Sequence, residues 1–435
     1  MVTRDENELL TRIGPGTAMG DLIRQYWIPV VKSDEVSAGD RTKRVRLMGE
    51  DLVVFRTGNG QPGLMAEHCT HRQASLYFGR IEDSCLRCPY HGWAYALDGQ
   101  CIDMPNQVAG SRFEDKVRHP AYPCRESGGV IWAYMGSEAE PPEMPDLEWC
   151  LVPAEHLLVT KFFVECNWLQ AMEGGIDPAH VSFLHAPLDT SSASQLRELD
   201  KAEAGFGLTM TMEKAPLMEC MDTDYGVLIA AARNAGNGNR YWRITQFHMP
   251  FHTMPPIEVQ DDPVHQAHIW VPSDDHNMIN WCITWSATRP ISQSERAAMV
   301  NGLGIHILDY EPATNQAYGD IRLRANYAND YMMDWDAHRT AAFFGVAGVG
   351  AQDRAIQETQ GKIYDRTQET LGTADIGLVR VRRQLVNAAL ALREGTPAPG
   401  LDAASYRIRP ASVVVPSEAS WSEAARKDLV AQVTS

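Results

Sequence analysis

The sequence predicts an α+β protein in which a small all-β domain precedes a larger domain whose strands give way to helices. Three observations point there. From Arg44 the chain alternates apolar and polar residues and is punctuated by Asn-Gly and Asp-Gly turns. Four longer apolar runs follow between about 226 and 288, two of them joined by the turn RNAGNGNR. Beyond about 292 the periodicity becomes helical.

In order, GPGTAMGDLIRQYWIPV reads as a turn and a short docking helix from about residue 17, closed by Pro29. RVRLMGEDLVVFRT reads as two strands, with Asn59-Gly60 turning the chain before GLMA resumes. WAYALDGQCI repeats the device with Asp98-Gly99, and GGVIWAYMG is a further apolar strand. The acidic, proline-bearing SEAEPPEMPDLEW suits an extended connection. The chain therefore divides into a docking segment 1–43, an all-β domain 44–154 and a remainder 155–435. That remainder opens with a helix around 167–182, followed by the polar stretch DTSSASQLRELDKAEAG. Strands are expected at about 226–233, 241–249, 266–272 and 278–288. The longest amphipathic helical stretch runs from about 351 to 394 and ends at Gly395-Thr-Pro. Its basic run RVRRQ at 380–384 reads as the solvated face of that helix.

Composition narrows the function classes. The 435 residues are 44% hydrophobic, ample for a buried core, and at about 150 residues per domain two or three domains are expected. With 39 Lys+Arg against 56 Asp+Glu the net charge is −17, which disfavours a nucleic-acid partner bound through its phosphates. The longest apolar run, AAFFGVAGVGA, is about half the ~20 residues a membrane helix needs. The start MVTRDENELL has no secretory-signal pattern, so the cytoplasm is the expected compartment. Nine cysteines without periodic spacing read as free thiols or metal ligands rather than a disulfide framework.

The most informative stretch is EHCTHRQASLYFGRIEDSCLRCPYHGW. Cys69-x-His71 and Cys88-x2-His91 place two thiolates and two imidazoles on two turn-like loops, sixteen residues apart. Such a set binds zinc tetrahedrally, or a two-iron, two-sulfur cluster with Cys on one iron and His on the other. The C-x-H spacing is unusual for zinc, although Cys85-x2-Cys88 leaves open a knuckle of Cys85, Cys88, His91 and one of Cys69 or His71.

A second set lies in VECNWLQAMEGGIDPAHVSFLHAP. Asp177 and His180 share a helix face, but at ~100° per residue His185 would point ~140° away from His180. Both bind one ion only if the chain bends or leaves the helix, and Gly174-Gly175 with Pro178 supply the irregularity. Two His and one carboxylate with open positions form the facial triad of non-haem iron oxygenases. Asp189, Asp309, Asp334, Asp336, Asp353 and Glu358 are all eligible as the carboxylate. The strand ITQFHMPFHTMPP suggests copper only weakly, since alternating Met and His more often wall a pocket; His248 and His252 read as structural.

CTHRQASL and CPYHGWAYALDGQC resemble the two cluster-binding loops of Rieske proteins, with one departure: Gln73 stands where related loops have Gly, which points to a different local turn or a hydrogen bond to the cluster. The whole chain resembles the large (alpha) subunit of Rieske non-haem iron aromatic-ring-hydroxylating oxygenases, in the phthalate dioxygenase-like branch. The likeness runs through GTAMGDLIRQYWIPV, both loops, NWLQAMEGGIDPAHVSFLH, HIWVPSDDH and GAQDRAIQETQGKIYDRTQETLGTADIGLVRVRRQLV. It implies a Rieske domain ahead of a catalytic domain whose antiparallel sheet wraps around helices in a helix-grip, START-like fold. It further implies Cys69 and Cys88 on one iron, His71 and His91 on the other, and mononuclear Fe(II) on His180, His185 and Asp353. Asp177 matches the acidic residue that bridges a cluster His of one subunit to an iron-bound His of its neighbour, which implies a homotrimer or two stacked trimers.

The implied activity is that of a terminal oxygenase using O2 and electrons from a separate flavin/iron-sulfur reductase, since no dinucleotide fingerprint for NAD(P)H follows a strand here. The outcomes are cis-dihydroxylation, monohydroxylation or O-demethylation of an aromatic acid such as a phthalate or substituted benzoate. A carboxylate entering an acidic protein needs a local cation; Arg243 in YWRITQFHMP is the first candidate, ahead of Arg233 and Lys214. The competing reading is a Rieske-type electron-transfer protein without oxygenase activity, which leaves about 280 residues without a role.

Overall fold

The computed structural model describes residues 2–433 except 109, 139, 189–212, 258 and 260–261. The polar stretch 189–205 and Asp189 thus lie outside the described residues. Helix α1 (Arg4–Thr11) opens on a reciprocal cap between Thr3 and Glu6. Helix α2 (Ala18–Ile23) is capped by Thr17. It ends well before Pro29, which lies inside β1 (Trp27–Lys32) rather than closing the helix. That placement is tolerated because β1 is an edge strand whose register slips between Pro29 and Val31.

The strands β2 (Lys43–Leu47), β3 (Glu50–Arg56), β4 (Pro62–Ala66), β5 (Arg80–Ile81), β6 (Cys85–Arg87), β7 (Ala94–Ala96), β8 (Cys101–Asp103) and β9 (Ala121–Tyr122) form two four-stranded antiparallel sheets. One has the order β2-β3-β4-β9 and the other β5-β6-β7-β8, with Gly60 and Gly99 left-handed in the turns the sequence marks. Between them sits a small core of its own, including Val53, Phe55, Met65, Leu86 and Tyr95. The third sheet pairs β1 with β11 (Val130–Tyr134), and β11 with β10 (Cys124–Ser127).

After the extended 140s and α3 (Glu148–Leu151) comes β12 (Leu157–Val164), an edge of an eight-stranded antiparallel sheet. The others are β13 (Leu217–Asp222), β14 (Gly226–Gly236), β15 (Asn239–His248), β16 (His252–Met254), β17 (His265–Asp274), β18 (Asn277–Trp285) and β19 (Ala411–Pro416). Their order is β12-β18-β17-β16-β15-β14-β13, with β19 added beside β15. The sheet curves around α4 (Trp168–Ile176), so the α+β, helix-wrapping architecture expected from the sequence is the one observed. Among the described residues the remaining α-helices are α5 (Gln293–Ala298), α6 (Trp335–Thr340), α7 (Val349–Thr359), α8 (Ile376–Arg393) and the short α9 (Trp421–Ala424). Among the described residues no helix is long and apolar enough to cross a membrane.

Four further expectations change. The helix expected over 167–182 stops at Ile176: Asp177 is its extended C-cap, Pro178 cannot continue it, and His180–Ser182 form a separate 3-10 turn. Gly174 and Gly175 do not disturb α4. They let it lie close to its neighbours, since a Cβ would sit 2.9 Å from Gln357 on one side and 2.5 Å from Trp270 on the other. The stretch 351–394 is two helices, because Gly361 is left-handed and the following turn carries Tyr364, Arg366 and Glu369 back towards α4. RVRRQ is consequently not a solvated face throughout. Arg380 is exposed and pairs with Asp222, but Arg382 is buried between Glu173 and Glu369.

Candidate functional site

Two sets of ligand-type side chains are assembled. The first sits on two loops that are copies of one turn. Cys69 N–H donates to Ala74 O and Gln73 N–H to Cys69 O, both at 2.9 Å. In the second loop Cys88 N–H donates to Trp93 O at 2.8 Å and Gly92 N–H to Cys88 O at 3.1 Å. Gln73 and Gly92, each four residues after its Cys, are both left-handed, at φ +60° and +77°. The turn is therefore the same in both loops, and Gln73 does not alter it. A Cβ at position 92 would lie 2.7 Å from Pro105, whereas Gln73 is exposed and has room for its side chain.

Cys69 and Cys88 are buried beside one another, and burial pushes the Cys88 thiol up. His71 and His91 face each other edge-on with ring centroids 4.6 Å apart, and His71 stacks on Trp93 at 4.2 Å. Trp93 is anchored by donating to Asn106 at 2.8 Å. Arg87 braces the second loop, donating to Gly92 O while pairing with Glu82 and Asp103 at 2.7 Å each.

Cys with Cys and His with His is the pattern a two-iron cluster requires, one pair per metal. A zinc knuckle instead needs its ligands clustered about one point at ~2.0–2.3 Å. Among the described residues no three of Cys69, His71, Cys85, Cys88 and His91 bring ligand atoms within 4.8 Å of one another. Cys85 points its thiol at Glu82, 3.4 Å away, and burial with that neighbour pushes it up to about 11.

The second set does cluster about one point. One ligand atom each of His180, His185 and Asp353 lies within 4.8 Å of the others, the one such group among the described residues. Asp353 Oδ1 stands 3.2 Å from His185 Nε2 and 3.4 Å from His180 Nε2. The break at Asp177-Pro178 turns His180 toward His185, and α7 delivers Asp353 from its first turns. Gln352 Oε1 accepts from His185 Nδ1 at 2.7 Å, which leaves Nε2 bare for a metal, and Val346 O and Phe344 O hold the Gln352 amide. Asp177 Oδ2 lies 3.4 Å from His180 Nδ1, while its Oδ1 accepts from Ala179 N–H.

Burial opposes the charge of Asp353, yet the two histidines hold its carboxyl well below the usual range. Burial likewise opposes a charged His180, and Asp177 with Asp353 carries it the other way, up to about 10. The site thus calls for positive charge, and the donor set of two imidazoles and a carboxylate fits a ferrous ion with positions left open. Of the other eligible carboxylates, those among the described residues are engaged elsewhere: Asp309 with Arg324, Asp336 with Arg339, Glu358 with Arg354, and Asp334 as the cap of α6.

Arg243 lies on β15, half-buried, with Nη2 donating to Pro256 O at 2.5 Å. Lys214 stands over the Phe183 ring at 4.9 Å. Arg233 on β14 is 1% exposed and grips the ligand-bearing turn, donating to Pro178 O and Ser182 Oγ at 3.0 Å each. Gln352 escaped sequence reasoning, although its place directly before Asp353 was a usable signal. His248 and His252 are buried, His248 stacking on Tyr225 and Tyr406, as structural histidines do.

Comparison with known proteins gives two family matches, Rieske [2Fe-2S] domain over residues 26–122 and LigXa C-terminal domain like over 133–434. The chain is 34% identical to the 3-chlorobenzoate-3,4-dioxygenase oxygenase subunit of Comamonas testosteroni, covering 98% of each. It is 37% identical to the phthalate 4,5-dioxygenase oxygenase subunit of Pseudomonas putida, covering 97% of this chain and 94% of that one. Among solved structures, NdmA of Pseudomonas putida CBB5 superimposes with a TM-score of 0.59 at 19% identity, over 93% of this chain and all of that one, a likeness of fold.

Proposed function

We propose a reaction from one premise: the chain belongs to the Rieske non-haem iron oxygenases, as the large oxygenase subunit of a phthalate dioxygenase-like system. It is a terminal oxygenase fed by a separate reductase, and its substrate is an aromatic acid of the benzoate or phthalate type. When bound, the Rieske cluster stores one electron and the ferrous ion activates dioxygen.

Cys69, His71, Cys88 and His91 would hold the cluster, and His180, His185 and Asp353 the lone iron. Supporting this is the segregation of thiols from imidazoles in the first set, and the convergence of three ligand atoms in the second. The convergence of His180, His185 and Asp353 carries the reading, because an electron carrier has no use for it. The protein's own residues prepare the chemistry. Gln352 orients His185, and the Asp177 carboxylate, buried on one side by His180, keeps about a third of its side chain exposed to meet a donor from outside. Arg243 is the residue we assign to the substrate's acid group.

The assembly we propose is a ring of three copies, alone or stacked in pairs, in which one copy's cluster faces its neighbour's Asp177. Exposed Phe78, Tyr90 and Phe113 on the cluster-bearing domain, and exposed Ile356 in the groove that Asp177 lines, are the apolar surfaces such a contact would cover. Nine unpaired cysteines support a reducing, cytoplasmic setting.

The test is substrate-dependent oxygen uptake by the reductase-coupled enzyme across benzoates, phthalates and methoxybenzoates. At least one is expected to stimulate uptake and yield a hydroxylated or demethylated product. His180→Ala should abolish that turnover while leaving the cluster spectrum intact; a variant that still turns over contradicts the assignment.

A further inference from the structure

His119 belongs to neither ligand set, yet it grips the cluster-bearing domain through both its backbone and its ring. It stands just before β9 and is 1% exposed. Its backbone N–H donates to Gly99 O at 2.7 Å, in the turn between β7 and β8. Ring Nε2 lies 2.8 Å from Ala66 O on β4, and Nδ1 lies 2.7 Å from the Thr70 hydroxyl. The ring face stacks on Tyr95 of β7 with centroids 4.7 Å apart. One imidazole thus ties both four-stranded sheets to the first ligand loop, in which Thr70 separates Cys69 from His71.

These partners fix the tautomer. A carbonyl oxygen only accepts, so Nε2 carries the proton that Ala66 O receives. Burial pushes the imidazole pKa down and keeps the ring neutral, so Nδ1 is bare and accepts from the Thr70 hydroxyl. Held at both nitrogens, the ring backs Tyr95, whose hydroxyl lies 3.1 Å from Cys69 Sγ. The backbone is built for this approach: Gly99 is left-handed at φ +83°, and a Cβ there would lie 2.0 Å from His119 O. A leucine would fill the same space without the cost of burying a polar ring, so the two hydrogen bonds ask for a role beyond packing.

We infer that His119 is a positioning residue for the cluster: from outside both ligand loops it fixes the Tyr95 hydroxyl against the Cys69 sulfur and pins Thr70, and so helps to set the reduction potential. This rests on the cluster assignment above. Hydrogen bonds to ligand sulfurs tune such a centre, and the groups that orient those donors act through them. Without His119 the Tyr95 ring is free to swing from the sulfur, and the reduced cluster loses a stabilising contact.

The experiment measures iron, acid-labile sulfide, the EPR spectrum of the reduced cluster and its midpoint potential in the full chain. It compares wild type, His119→Leu, Thr70→Val and Tyr95→Phe, and combines each of the first two variants with Tyr95→Phe. His119→Leu and Thr70→Val are expected to lower the potential, the former more, with two irons and two sulfides still in the cluster. Their shifts should largely vanish in the Tyr95→Phe background, because they act through that hydroxyl. An unchanged potential in His119→Leu with full cluster content, or a shift that adds in full to that of Tyr95→Phe, overturns the inference. If His119→Leu holds no cluster, Thr70→Val decides, since it alters an exposed side chain. A lowered potential that Tyr95→Phe abolishes supports the clamp, and an unmoved one sinks it. A wild type without a Rieske signal overturns the cluster assignment and this inference together, whereas a normal wild-type signal with unmoved variants overturns this inference alone.

Discussion

Cys69 is held by more than its loop: the Tyr95 hydroxyl lies 3.1 Å from its sulfur, in a core that excludes water. In the cluster assignment proposed above Cys69 is a ligand, and a hydrogen bond donated to a ligand sulfur stabilises the reduced, more negative cluster. Tyr95→Phe is therefore expected to lower the midpoint potential by roughly 40 mV, the one-electron equivalent of about 1 kcal/mol, with ligation unchanged. EPR-monitored redox titration checks it, and an unchanged or raised potential contradicts it. Single residues differ in how openly the sequence declares them. Cys69, His71, Cys88 and His91 stand close together on two turns and are readable from spacing. Asp353 is not, because its meeting with His180 and His185 depends on how α7 packs beside α4, which spacing does not encode. Gln73 reads as an irregularity in the sequence, and only the backbone shows that it repeats Gly92 where space allows a side chain.

Helices α4 and α8 are joined by charge. Glu173, buried on α4, receives Arg366 at 2.9 Å and Arg382 of α8 at 2.6 Å, with Tyr364 and Glu369 closing the network. Burial opposes the Glu173 charge, and the two guanidiniums nonetheless hold its carboxyl below the ordinary range. Glu173→Gln leaves two buried guanidiniums short of counter-charge and is expected to cost about 3–5 kcal/mol in urea unfolding. A loss below about 1 kcal/mol, typical of exposed pairs, contradicts the account. The same network explains why this region misleads sequence reasoning. Along α8 alone the basic run looks like a solvated face, and the acids that bury Arg382 come from α4 and from the turn between α7 and α8. Strands fared better, since alternation and turn residues act locally; β14, β15, β17 and β18 fall within a few residues of their expected limits.

For the chain as a whole, buried histidines outside the metal sites set the response to acid. Burial pushes His248 and His265 down to about 4 and His306 to about 3, so the folded chain keeps them neutral. Between about pH 6.5 and 4.5 the unfolded chain takes up protons that the folded chain refuses, so stability falls as pH falls, by about 1 kcal/mol per unit for each imidazole. Depressed carboxylates such as Glu148 and Glu173 add losses in the same direction only below their ordinary range. Urea midpoints at pH 6.5, 5.5 and 4.5 should decline; a constant or rising midpoint contradicts this. The proposed function depends on two kinds of iron in one chain, a cluster on Cys69, His71, Cys88 and His91 and a single ion on His180, His185 and Asp353. The direct measurement compares iron, acid-labile sulfide and the Rieske EPR signal in wild type and Asp353→Asn. The account predicts two irons and two sulfides for the cluster plus one further iron in wild type, with only that further iron lost from the variant and the signal unchanged. Equal iron in the two proteins, or loss of the cluster signal along with the lone iron, would contradict it.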